Sequence, residues 1–330
     1  MTIPSFMILK KNAAERVAAA ENEKKIVLIY AGAVTVLALL VTVINYVLGL
    51  RIDQTGGLSN MGLRTVLSTF QSVIPMVQSL ITMCLEVGFL AAMLRISRRQ
   101  YVSEHTLKLG FDRFWVLLRA SLFRGGIYVM AGMASFWLAM QIYLVTPLSR
   151  PILSYLEPIV SDPAFDMAML ETQVLPDEVV ISMIPMFLLF GILYLVFVIP
   201  ISYSLRMVNY IIIDKPAIGA SAAMRESKIM MRGSRMRLFK LDLSLWWWFA
   251  ISVFSAVLCY GDMLLALAGI TLPWSETVSY FLFYGLFLVV QFAAAWFLRS
   301  RVEVVYAQAY DALKPREKND GVVLGNIFQM

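Results

Sequence analysis

Residues 26–50 read IVLIYAGAVTVLALLVTVINYVLGL, a run with no Asp, Glu, Lys or Arg in it. A helix needs about 20 mostly apolar residues to cross the roughly 30 Å hydrocarbon core of a bilayer. This run is long enough to span. It is too long for the apolar region of a cleaved signal peptide, and no small-residue cleavage site comes after it. Lipid offers no partner to backbone N–H and C=O groups, so the segment must be helical.

Working outward, five further stretches have the same character. They are 71–94, 125–146, 179–213 (which continues past Pro200), 243–267 and 278–298. The whole chain of 330 residues is 60% hydrophobic and 15% charged. A soluble domain is about 45–50% apolar and about 25% charged. Mean hydropathy is +0.74. These values exclude a disordered chain, a collagen-like chain and a disulfide scaffold. They also exclude a soluble enzyme, whose surface would lack polar residues to cover it. The expected fold is all-α: a polytopic membrane bundle of six transmembrane helices with cytoplasmic amphipathic helices.

Lys and Arg set the orientation, because cytoplasmic loops carry the excess of both. The first 25 residues hold five, residues 95–124 seven, residues 206–240 eight, and the tail from Arg299 five. In a six-span chain all of these fall on one side. Only Arg51, Arg64 and Arg150 fall on the other, together with Asp53, Glu157, Asp162, Asp166, Glu171, Asp177, Glu178 and Glu276. Both termini are therefore expected in the cytoplasm. The resulting domain boundaries are a cytoplasmic N-terminal helix in 1–25, a transmembrane domain over 26–298, and a cytoplasmic helix and tail in 299–330. Within the transmembrane domain lie an outer loop at 147–178 and a cytoplasmic helix at 214–233. The net charge of +6 reads as this topology signal and not as a nucleic-acid footprint.

The helix at 214–233 is expected to lie on or near the membrane, capped by Asp214 or Lys215, with Pro216 in its first turn and Gly233 as its stop. Arg225, Lys228, Arg232, Arg235, Arg237 and Lys240 come at close spacing. Each such charge is worth about 1 kcal/mol beside an anionic leaflet. The group is the candidate contact for anionic headgroups on the cytoplasmic side, as a general surface or as a dedicated anionic site. Phe111, Phe114, Leu118 and Leu122 recur at helical spacing ahead of the third span, with Arg113, Arg119 and Arg124 between them, which predicts an amphipathic lead-in. Trp246, Trp247 and Trp248 suit an aromatic belt at headgroup level.

Polar residues inside spans are the candidates for function. Glu86 lies nine residues before Arg95, about 13 Å along a helix, which places it near mid-depth. Gln78 and Gln71 share roughly its face. No Lys or Arg is expected at that depth, so Glu86 is expected to lack a protein-borne cation. Asp242 is read as an ion-pairing residue beside Lys240 and Arg237, Asp262 as an interfacial acid, and Asn45 as a solvated or interhelical side chain. Ala131, Ser135 and Ala139 form a small ridge suited to close helix packing.

Other chemistry is scarce. Cys84 and Cys259 lie inside apolar runs, and His105 is the single histidine. No zinc motif, nucleophile elbow, phosphate loop or dinucleotide fingerprint is present. No catalytic residue, metal or cofactor is expected, and an enzyme is not. The outer loop holds five prolines and six acids; residues 152–159 and 164–170 could form short helices there.

Two patterns extend beyond single segments. Ser72-Val73-Ile74-Pro75-Met76 matches Ser182-Met183-Ile184-Pro185-Met186, and Arg95 and Arg206 come after the two prolines at nearly equal distances. A duplication would make spans two–three and four–five equivalent hairpins. The second pattern is a resemblance. Asp214-Lys215-Pro216, then AAMRESKIMMRG over 222–233, then Arg237 to Ser244 leading into the tryptophans, resembles an uncharacterised bacterial integral membrane family, domain of unknown function nine-seven-five. Leu94 to Arg98 with Gly110-Phe111, and Val305 to Tyr310, resemble two further parts of it. The resemblance implies a multi-pass protein of the bacterial cytoplasmic membrane and carries over no catalytic residue.

The expected function is a non-enzymatic scaffold, accessory or regulatory subunit, contacting membrane lipids and either a second copy or a membrane protein partner. The alternative is a small transporter or lipid flippase using Glu86 as a mid-membrane acid.

Overall fold

The structure is a computed structural model and describes residues 5–54, 61–160, 176–267, 269–270 and 273–314. Among these residues every regular element is helical. In chain order they are α1 (Phe6–Ala18), α2 (Glu23–Gln54), α3 (Met61–Ser97), a 3-10 turn (Glu104–Lys108), α4 (Leu109–Asp112), α5 (Phe114–Val145), α6 (Arg150–Val160) and α7 (Asp177–Leu205). Then come α8 (Val208–Asp214), α9 (Ala220–Met230), α10 (Arg235–Ser244), α11 (Trp246–Cys259), α12 (Gly261–Leu267), α13 (Glu276–Ala294), a π turn (Ala295–Arg299) and α14 (Ser300–Leu313).

Among the described residues, five helices are long and apolar enough to cross a membrane: Glu23–Gln54, Met61–Ser97, Phe114–Val145, Asp177–Asp214 and Thr277–Leu313. A sixth candidate is the pair α10 and α11, inclined to each other by 69°. The bend falls at Leu245, where helical geometry lapses between Ser244 and Trp246. The segment expected to span from residue 243 is therefore not one straight helix. α11 alone has 14 residues, about 21 Å, and is continued by α12 after Tyr260.

The chain divides into two compact units, residues 1–119 with 207–330, and residues 120–206. In the first unit, α3 runs for 37 residues, about 55 Å, far more than a bilayer core requires. Its first half leaves apolar side chains such as Val66, Phe70, Val73 and Met76 exposed. From Val87 to Leu94 every residue is buried. A helix apolar all round must be enclosed, and α1, the 3-10 turn, α4, α8 and α14 pack against this end. α2 repeats the pattern: Ile26, Val27, Tyr30 and Ala31 are buried, while Val36, Leu39, Leu40 and Val43 are exposed. The first unit is thus a folded helical cap from which apolar shafts emerge.

The cap is built by stripes. Leu9, Ala13 and Val17 recur every four residues on α1 and are buried where α1 meets α14 and α3. α14 contributes Val302, Val305, Tyr306, Ala309 and Tyr310. Each fully buried aliphatic side chain contributes about 1.5–3 kcal/mol of transfer free energy. Two glycines permit the tightest approach. A Cβ on Gly88 would lie 2.1 Å from the Leu107 carbonyl oxygen, and one on Gly110 would lie 1.9 Å from the Cys84 carbonyl oxygen. α3 and the segment around α4 therefore meet backbone to backbone.

α3 ends in a Schellman pattern. The Gln100 N–H donates to Arg95 O and the Arg99 N–H donates to Ile96 O, each at 3.0 Å. The left-handed residue this requires is usually glycine. Here it is Arg99, at φ 56°. Arg99→Gly is expected to stabilise the protein by about 1 kcal/mol, read as a raised melting temperature in detergent, because glycine carries no Cβ penalty there.

The helix expected over 214–233 is interrupted. Asp214 ends α8, Pro216 lies in the connection, and α9 starts only after Gly219. Asp214 caps nothing because its carboxylate is held by cations distant in the chain. α9 ends at Met230, and Gly233, at φ +80°, lies in the turn that follows it. Of the stripe Phe111, Phe114, Leu118 and Leu122, Phe111 and Leu122 are exposed, and Leu117 and Ala120 are the positions buried within the chain.

In the second unit, the ridge Ala131, Ser135 and Ala139 is buried and extends to Tyr143. The Tyr143 hydroxyl donates to Ser182 O at 2.9 Å, and Phe136 meets Phe190 edge to face at 5.8 Å, joining α5 to α7. α6 occupies the first of the two short helices expected in the outer loop. The second, 164–170, lies outside the described residues. After α3 the chain forms a 3-10 turn and a four-residue helix, whereas after α7 it forms α8, α9 and α10. The segments after the two proline-bearing helices therefore share no element pattern.

Candidate functional site

Where the cap meets the shafts, four side chains from three elements form a collar. Glu86 of α3 accepts from Arg299 Nη2 through Oε1 at 2.6 Å. Tyr30 of α2 and Phe89 of α3 stack at 4.4 Å. The Arg299 guanidinium lies 4.9 Å from the Tyr30 ring centre and 5.7 Å from that of Phe89. Glu303, one turn further on, approaches Arg299 Nε at 4.0 Å and accepts from the Tyr210 hydroxyl at 3.3 Å. Arg299 Nε is buried and makes no hydrogen bond.

The π turn at Ala295–Arg299 explains how Arg299 arrives. A π turn holds one more residue than an α turn, which rotates the residues beyond it by about 100°. Read from the sequence, the sixth span ends at Leu298 and Arg299 belongs to a tail, which leaves Glu86 without a cation. The structure corrects this: the helix continues through Leu313 and places Arg299 on Glu86. Glu86 is 25 residues into α3 and directly precedes the enclosed end of that helix, so it sits at the foot of the shaft. An arginine here is a permanent cation, and its carboxylate partner is compensated in place.

Glu86 is half exposed and Arg299 largely covered, with side-chain exposures of 48% and 20%. An exposed pair is worth about 0–1 kcal/mol, whereas stacking over two rings adds about 1–2 kcal/mol. Glu86→Gln is therefore expected to leave the fold intact at a cost below about 1 kcal/mol. Arg299→Ala should cost at least twice as much. Melting of both variants in mild detergent checks this, and loss of folded Glu86→Gln would contradict it.

Gln71 and Gln78 are half-buried. Gln71 lies about 22 Å from Glu86 along α3. It belongs instead to a pocket of about 310 Å³ with Thr42, Asn45, Tyr46, Asp53 and Tyr280. Asn45 Oδ1 is buried there with no hydrogen-bond donor. Gln71 is thus placed in a pocket apart from Glu86. Asp242 is buried and accepts from the Tyr306 hydroxyl at 2.7 Å; the nearby Arg237 and Lys240 are exposed.

A second cluster joins the ends of three helices. The Asp214 carboxylate accepts from Arg98 Nη1 at 2.7 Å, from Lys314 Nζ at 2.7 Å and from the Tyr310 hydroxyl at 3.0 Å. Arg98 also reaches Asp311 at 2.6 Å. Burial alone would raise the Asp214 carboxyl, but the hydrogen bonds from Arg98 and Lys314 outweigh it and hold the group at about 2. Burial pushes the Tyr310 hydroxyl well up, so it stays a donor. Nothing in the sequence marks Arg98 and Asp214 as partners, since 116 residues separate them.

The basic group expected to meet headgroups is presented as a surface. Arg225, Lys228, Arg232, Arg235, Arg237 and Lys240 are all at least partly exposed, while Ala223, Ser227, Met230, Leu238 and Leu241 beneath them are buried. Among the described residues no three His, Cys, Asp or Glu side chains gather as metal ligands.

Comparison with known protein families matches residues 7–310 to the family described as Protein of unknown function (DUF975). The chain belongs to that family. The match runs from α1 to Tyr310, and so takes in the collar, both Asp214 and Arg98, and the basic surface. No curated protein and no solved structure shows significant similarity to the chain.

Proposed function

We propose that this member of the family is a six-span protein of the bacterial cytoplasmic membrane, with both termini and the helical cap in the cytoplasm. It acts by binding, as a scaffold, accessory or regulatory subunit, and not as an enzyme. The observation that carries this reading is the cap itself. Three of its acids are held by internal partners, Glu86 by Arg299, Asp214 by Arg98 and Lys314, and Asp242 by Tyr306. Its outer face on α9 and α10 is basic and unoccupied by acids in sequence from Lys228 to Leu241. That face suits anionic headgroups and leaves a rigid platform for a partner. The pairing of Glu86 with Arg299 counts against a carrier built on an unpaired mid-membrane acid.

Pull-down of the tagged protein in mild detergent is expected to recover a stable membrane partner or a defined homo-oligomer. A clean monomer, with no phenotype that depends on another protein, would overturn the proposal. Topology has its own test. Single cysteines in a variant lacking Cys84 and Cys259 should label from outside at position 165 and from inside at positions 15, 105, 230 and 315. One reversed label among the inner four breaks the six-span arrangement.

A further inference from the structure

Between α2 and α13, just beyond the collar, runs an apolar groove of about 730 Å³. Leu28, Phe292, Trp296 and Phe297 line its cap end, and Leu39 and Gly285 its far end. From Leu28 to Leu39 the groove extends about 16 Å at 1.5 Å per residue. One leaflet contributes about half of the roughly 30 Å hydrocarbon core, which is the same depth. The volume spread over that length gives a cross-section of about 45 Å². That is wide enough for a hydrocarbon chain.

The cap end of the groove has a charge signature. Lys24 lies four residues before Leu28, on the same face of α2 and about 6 Å beyond the groove, and Arg301 follows Phe297 by four residues across the π turn. Both side chains are exposed, and among the described residues neither forms an ion pair. Their neighbours differ: Lys25 is paired with Glu104, and Arg299 with Glu86. Two free cations thus stand at headgroup height over a slot one leaflet deep.

We propose that this groove binds an anionic glycerophospholipid of the cap-side leaflet, one acyl chain lying between α2 and α13 and the phosphate held by Lys24 and Arg301. The site is separate from the basic surface of α9 and α10. It rests on α2 and α13 crossing the membrane, and adds a defined lipid where the functional reading names only a surface. Gly285 supplies a clean probe, because a Cβ there meets no atom within 4 Å. A leucine at this position would fill the slot while favouring helix.

The test is native mass spectrometry of the whole protein, delipidated and then titrated with phosphatidylglycerol, phosphatidylcholine or inorganic phosphate. The wild type should retain one phosphatidylglycerol per chain, hold phosphatidylcholine far more weakly, and retain no phosphate alone. Gly285→Leu should lose that lipid at an unchanged melting temperature. Lys24→Gln with Arg301→Gln, which leaves the groove open, should weaken retention by about 30-fold. Full retention in Gly285→Leu, equal retention of the two lipids, or a homodimer that dissociates in Gly285→Leu would each overturn the proposal. Reversed cysteine labels would instead sink the membrane topology beneath it, so the two failures are told apart. Should Gly285→Leu not fold, the double charge variant decides the matter alone.

Discussion

Gly110→Ala is expected to abolish the folded protein. The added methyl would lie 1.9 Å from the Cys84 carbonyl oxygen, and the atoms it meets are backbone within a 37-residue helix. A flexible side chain could swing aside, but an α-helical carbonyl cannot move without breaking its own hydrogen bond. Overpacking a core ordinarily costs about 1–3 kcal/mol. A collision with fixed backbone should reach or exceed the top of that range. Gly88→Ala meets the Leu107 carbonyl oxygen at 2.1 Å and should behave in the same way. Gly125→Ala is the control: nothing lies within 4 Å of its Cβ position, so alanine there should add about 0.5–1 kcal/mol by helix propensity. Thermal melting in detergent with size-exclusion profiles separates the three. A folded, wild-type-like Gly110→Ala would show that α3 and α4 do not approach as described.

The second large effect belongs to Asp214. Its carboxylate is 8% exposed, and its two cationic partners are 28% and 37% exposed. Removing one member of a fully buried pair costs about 3–5 kcal/mol. Partial exposure of Arg98 and Lys314 lowers that to about 2–3 kcal/mol for Asp214→Ala. The pH dependence comes from the depressed carboxyl, near 2 when folded against about 3.9 unfolded. A group whose folded pKa is lowered stabilises the fold above its unfolded pKa and loses that contribution as pH falls through the folded one. Stability should therefore drop by about 2 kcal/mol between roughly pH 5 and pH 2 through this group. Asp214→Asn should be less stable at pH 7 and flatter over that acid range. An acid limb as steep as that of the wild type would remove Asp214 from the account.

Much of this fold is legible in the amino-acid sequence, for reasons that particular residues make plain. The run at 26–50 can only be a helix in lipid, and α2 is that helix. Gly233 is readable as a turn residue because a left-handed conformation selects glycine by local sterics alone. The ridge Ala131, Ser135 and Ala139 is readable because spacing within one helix fixes a face. The candidate site is legible only in part. Glu86 stands out as a charge in an apolar run. Its cation does not, because a π turn in a distant helix decides which way Arg299 faces.

Local composition alone determined the helical segments of membrane-crossing length, the concentration of basic residues in alternate connections, and membership of a family recognisable from its central block. Only the tertiary structure decided the relations between residues far apart in the chain. α2 and α3 are enclosed at one end by the cap of the first unit, and Glu86 sits beside that enclosed end, paired with Arg299. Asp214 passes from a helix cap to the centre of an ionic cluster. Gly88, unremarked in the sequence, and Gly110, read there only as part of a family block, become points of backbone-to-backbone contact in the first unit. The physical reason is one of range. Solvation and helix propensity act on each segment as it stands, so they are written in its residues; ion pairs, ring stacks and backbone contacts require two segments to meet, and the sequence of neither says which other it will find.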